Sequence, residues 1–109
     1  MAIAHAASGQ LIDLYPLVDK LTETRTVALF KSHELEVMRL IVPAGKTVPS
    51  HQVKGEITVQ CLEGECEFTA GEQTQLMKAG QLLYLAGGVE HGLTAVRDSS
   101  LLVTFALRR

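Results

Sequence analysis

From residue 44 onward the chain is punctuated by turn-forming residues: Ala44-Gly45, Gly55, Gly64, Gly71, Gly80, Gly87-Gly88 and Asp98-Ser99-Ser100. Past Gly55 they recur roughly every seven to ten residues, the rhythm of a sandwich or barrel of short antiparallel strands. The segments between them agree. "EITVQCL" puts Ile57, Val59 and Cys61 on one face and Thr58 and Gln60 on the other, the alternation of a half-buried strand. "CEFTA" continues it, with Cys66 and Phe68 inward and Glu67 and Thr69 outward. Further strands are expected at "TVALFK", "ELEVMRLIV", "QTQLMKA", "QLLYLA", "GLTAVR" and "LLVTFAL".

Several of these strands are apolar on both faces. A single domain of 109 residues has too little interior to cover them all, so a second copy is the expected cover and the chain is expected to be a homodimer. Residues 1–34 read as an N-terminal arm and first strand, and residues 35–109 as the barrel. Within the arm, "GQLIDLYPLVDKL" is either extended or a short helix, since Pro16 interrupts any continuous one.

The balance of residues excludes several classes of partner. A net charge of -2 with both signs interspersed makes no positive field for nucleic acid or an anionic lipid surface. No run approaches the roughly 20 apolar residues of a membrane span, and "MAIAHAASGQ" has no signal-peptide layout, so a cytoplasmic protein is expected. Phosphate-binding loops, dinucleotide fingerprints and nucleophile elbows are absent.

Two cysteines, Cys61 and Cys66, flank the Leu62-Glu63-Gly64-Glu65 turn. A two-residue hairpin loop would oppose them directly, whereas a three-residue loop with a bulge at Gly64 would not; two buried thiols acting as small hydrophobes is the reading adopted. Glu63, Glu65 and Glu67 are read as a solvated strand face.

Of the four histidines, His51 follows the Gly/Pro-rich "PAGKTVPS" and His91 follows "LAGGVE". Two histidines placed just after turns, at the mouth of a barrel, mark the expected ligand pocket. With Val53, Ile57, Val59 and Cys61 the pocket reads as apolar, with His51 and His91 at its polar end. His33 reads as a surface strand residue, and His5 is assigned no role.

From about residue 35 to 107 the chain resembles the cupin superfamily. The usual first cupin motif runs Gly, five residues, His, one residue, His, three or four residues, Glu, six residues, Gly; Gly45, His51 and Gly64 fall on it. On the second, Gly80, Gly88 and His91 fit, with Ala86 replacing its proline and Ala95 its asparagine. The resemblance implies an all-β fold, a small antiparallel β-barrel or double-stranded β-helix of the jelly-roll kind, with six to eight strands.

In metal-binding cupins the ligands are the two histidines and the glutamate of the first motif and the histidine of the second. Here Val53 stands where the second histidine belongs, Ile57 where the glutamate belongs, and Glu56 falls one residue early. Strand alternation points Glu56 outward with Thr58 and Gln60, unless Gly55 allows an irregularity that turns it in. Two imidazoles alone make a weak site, because first-row divalent metals take three or four protein ligands. His33 and Gln52 are further candidates for a third ligand, with His33 read by preference as a surface residue. The expected function is therefore binding of a small, largely apolar or carboxylate-bearing molecule, without an assigned catalytic residue. The alternative is a metal-dependent oxygenase or isomerase holding Fe, Mn, Ni or Zn through His51, His91 and Glu56 or a water-completed shell. A structural or regulatory partner is a third possibility.

Overall fold

A computed structural model describes residues 5–107. Among them, nine antiparallel strands build two sheets. The first sheet has the order β1-β2-β9-β4-β7, from β1 (Val27–Lys31), β2 (Leu35–Val42), β9 (Ser99–Ala106), β4 (Ile57–Glu63) and β7 (Leu82–Leu85). The second has the order β3-β8-β5-β6, from β3 (Thr47–His51), β8 (His91–Ala95), β5 (Glu65–Ala70) and β6 (Gln73–Lys78). Almost every connection from β2 onward carries the chain from one sheet to the other, which is the winding of a double-stranded β-helix.

The glycines therefore mark corners between sheets more than hairpins. Only Gly71, in the β5–β6 turn, heads a hairpin, where Ala70 faces Gln73. This corrects the hairpin expected at Cys61 and Cys66: β4 and β5 do not pair, and the chain turns from sheet to sheet at Gly64. Both thiols face the interior, fully buried and unbridged. Burial pushes the Cys61 thiol up, against a backbone hydrogen bond at Glu63, and pushes the Cys66 thiol up to about 11.

The core lies between the sheets and follows the alternation. Ile57, Val59 and Cys61 of β4 and Leu101 and Val103 of β9 meet Cys66 and Phe68 of β5 and Leu93 and Ala95 of β8. Apolar burial of this kind stabilises by about 25 cal/mol per Å² removed from water.

Two elements depart from expectation. Thr47–His51, read as loop, is the edge strand β3. Pro49, which donates no hydrogen bond, is accommodated there because β3 pairs on one side only and its register shifts between Val48 and His51. The second is Glu63, which is not solvated. A register shift between Cys61 and Glu63 turns it toward the arm, where its carboxylate accepts hydrogen bonds from the Leu17 and Val18 amides and the Ser100 hydroxyl. Arg39, 6% exposed, lies 3.4 Å from the same carboxylate and donates to the Tyr15 carbonyl and Ser100. The arm, irregular as far as Leu17 and then a 3-10 helix at Val18–Glu23, is thereby tied to the outer face of the five-stranded sheet.

No helix among the described residues is long and apolar enough to cross a membrane.

Candidate functional site

The last residue of β3 and the first of β8 are register partners, and they are His51 and His91. Forty residues apart in the chain, they are brought level by the pairing of these two strands. Gly92 permits the close approach: a Cβ there would lie 2.9 Å from the Val48 carbonyl oxygen and 3.1 Å from Ser50 Cα. Beside that rung the Ser50 hydroxyl donates to the Glu90 carboxylate at 2.9 Å, a second tie between the strand ends.

The two imidazoles touch, with ring centroids 4.4 Å apart and planes tilted by 55°. His91 is buried and stacks parallel to Phe68 at 6.1 Å, while His51 is open to solvent. Each ring is anchored in the same way, Nδ1 of His51 to the Pro49 carbonyl at 3.0 Å and Nδ1 of His91 to the Val89 carbonyl at 2.9 Å. A carbonyl oxygen only accepts, so each Nδ1 carries the proton and donates. The free lone pair of each neutral ring is consequently at Nε2.

Behind the pair lies a cavity of about 100 Å³. Met38 and Leu40 of β2, Ile57 and Val59 of β4, Phe68, Leu93, and Val103 and Phe105 of β9 form its wall. Apart from the imidazoles, no wall side chain carries a nitrogen or oxygen. A larger cleft of about 400 Å³ between the arm's Ala6–Gln10 stretch and Phe30–Ser32 has Lys31 as its sole charged wall residue.

Of the pocket residues named from the sequence, His51, His91, Ile57 and Val59 come together here. Val53, just past β3, packs against the core without lining the cavity. Cys61 is two inward positions beyond Ile57, at the far end of β4, where its thiol meets the Glu63 and Gly64 carbonyls. Glu56 is not brought to the histidines. Its carboxylate accepts a hydrogen bond from the Tyr84 hydroxyl at 3.0 Å beside Thr58 and Thr104, and that bond pushes the phenol's pKa up. His33 lies exposed in the β1–β2 turn, outside any strand, and Gln52 is exposed after β3. Met38, Leu40, Phe68, Leu93, Val103 and Phe105 also line the cavity and are not named from the sequence; the inward alternation of "CEFTA" and "LLVTFAL" is the signal for Phe68, Val103 and Phe105.

These residues do not fit the metal centre of the family. Among the described residues no group of three or more His, Cys, Asp or Glu side chains is placed to hold an ion. Two neutral imidazoles supply half of an ordinary four-ligand shell and no negative charge.

The family profile described as "Cupin domain" matches residues 38–106. Among solved structures, a Streptococcus pyogenes protein of unknown function superposes with a TM-score of 0.74 at 20% identity, covering 100% of this chain and 96% of that one. An RmlC-like cupin from Shewanella frigidimarina gives a TM-score of 0.72 at 21% identity over 77% and 76% of the two chains. An RmlC-like cupin from Desulfovibrio desulfuricans gives 0.69 at 29% identity over 94% and 97%. No curated protein matches the sequence.

Proposed function

The chain belongs to the cupin family, and from that premise we propose that it binds a small molecule in the barrel, apolar body inward and polar end at His51 and His91. The observation that carries this is the pairing of two anchored imidazoles at the mouth of a cavity whose remaining wall is apolar. Such a site fixes orientation with a few polar contacts and gains affinity from burial, the usual division of labour in ligand pockets.

One feature favours the alternative, a metal-dependent oxygenase or isomerase. A ring held by Nδ1–H to a backbone carbonyl with Nε2 free is the posture of a metal-ligating histidine. The donor count weighs against it, because Val53 and Ile57 supply no third ligand and Glu56 is engaged by Tyr84 on the outer face.

Metal analysis of protein purified without chelator separates the two. Substoichiometric metal is expected, with small ligands shifting the imidazole resonances of His51 and His91. Stoichiometric Fe, Mn, Ni or Zn that is lost in His51→Ala overturns the binding reading.

A further inference from the structure

The anchoring of both rings also specifies what the ligand must offer. With each Nδ1 proton committed to a backbone carbonyl, two neutral imidazoles present two acceptors, and no other wall side chain is a nitrogen or oxygen donor. A carboxylate also only accepts, so it meets no N–H there. A primary amide satisfies one acceptor or both, but its carbonyl finds no donor among the wall side chains. What complements two acceptors is a pair of donors.

Their spacing is set by the rings. Centroids 4.4 Å apart keep both Nε2 atoms within reach of one small molecule, a span that two hydroxyls on adjacent carbons can bridge. Size is limited by the cavity behind: an apolar cavity of about 150 Å³ accommodates benzene, and this one holds about 100 Å³. A short aliphatic tail fits that volume. A neutral head also avoids the desolvation cost that an ammonium would meet beside Phe68 and the buried His91.

We propose that the cavity takes a short aliphatic vicinal diol, its two hydroxyl groups donating to Nε2 of His51 and Nε2 of His91 and its carbon tail lying between Ile57, Val59 and Val103. The inference rests on the reading of the barrel as a ligand pocket. The hydroxyl oxygens keep their own lone pairs toward the open, His51 side of the mouth, where water reaches them.

The test compares butane-1,2-diol, butan-1-ol, butan-2-ol and butanoate by calorimetry and imidazole resonances, using the full chain at pH 8, where an imidazole is ordinarily neutral. Each hydroxyl removed is expected to weaken binding about fivefold, the effect of one neutral hydrogen bond, and butanoate is expected not to compete. His51→Ala, at an exposed position that does not endanger the fold, and His91→Phe, which keeps the stack on Phe68, are each expected to lower diol affinity to that of a butanol. Glu56→Gln, on the outer face, leaves it unchanged.

Equal affinities for diol and butanols, or tighter binding of butanoate through the same histidines, overturn the diol assignment while the pocket stands. Diol binding that appears only on addition of a divalent metal overturns it as well. If nothing in the panel moves either imidazole resonance, the pocket reading itself falls.

Discussion

At Gly64 the absence of one carbon atom decides whether the two sheets can meet. Its backbone has φ +91, and a Cβ would press on the Asp98 carbonyl oxygen and the Ser99 hydroxyl and lie 2.7 Å from Ser99 Cα. The left-handed conformation costs an ordinary residue about 1–2 kcal/mol, and the crowding adds about 1–3. Gly64→Ala is therefore expected to lose about 2–5 kcal/mol, read from urea unfolding; a loss below about 1 kcal/mol would show that the corner relaxes freely. Two residues on, Cys66 makes a prediction about pH. Burial pushes its thiol up to about 11, above the value near 8.5 expected in the unfolded chain. The fold thus holds the proton more tightly. This contribution is complete below the unfolded value and is lost as pH rises through about 11, a change of roughly 3 kcal/mol. Cys66→Ala lacks the titrating group, so the stability gap between the two proteins should narrow from pH 8 to 11. A constant gap contradicts the burial argument.

At the scale of elements, what the sequence makes legible is whatever a strand's own alternation encodes. Ile57, Val59 and Cys61 face inward as their period dictates, and Glu56 faces outward to Tyr84 for the same reason. What eludes such reasoning is non-local. The strand β3 was hidden by Pro49 and Gly45, because only its position at the sheet edge makes a proline harmless there. Glu63 read as solvated because neither the register shift beside Cys61 nor the arm that meets it, 46 residues earlier at Leu17, leaves a local trace. The meeting of His51 with His91 likewise depends on the register of β3 on β8. That register has a point of failure at Gly92, buried beneath the β3 irregularity. Gly92→Ala is expected to push β3 outward, destabilise by about 1–2 kcal/mol and abolish ligand-induced shifts at both imidazoles. Retained shifts on both rings would mean that the pair does not need this close approach.

At the scale of the whole molecule, the face left over is the outside of the five-stranded sheet. The arm covers the end around Arg39, Ser100 and Glu63. Beyond it, two cross-strand rows remain, Val37–Thr104–Thr58–Tyr84 and Leu102–Gln60–Leu82. Tyr84 is 60% and Leu82 64% exposed, both on the edge strand β7. An edge strand with large exposed apolar residues invites association unless something covers it. We propose that a second copy does so. The rows carry hydroxyl, amide and apolar side chains, and the one carboxylate at their margin, Glu56, is hydrogen-bonded to the Tyr84 hydroxyl, so the face can meet its twin about a two-fold axis. Light scattering at micromolar concentration is expected to give twice the mass of 11.8 kDa. Replacing Leu82 and Tyr84 together by lysine puts four like charges into that contact and is expected to yield a folded monomer. Because the cavity opens at β3 and β8 in the other sheet, this monomer should bind its ligand as the parent does. A wild-type monomer, or a double variant that stays dimeric, would place the contact elsewhere or remove it.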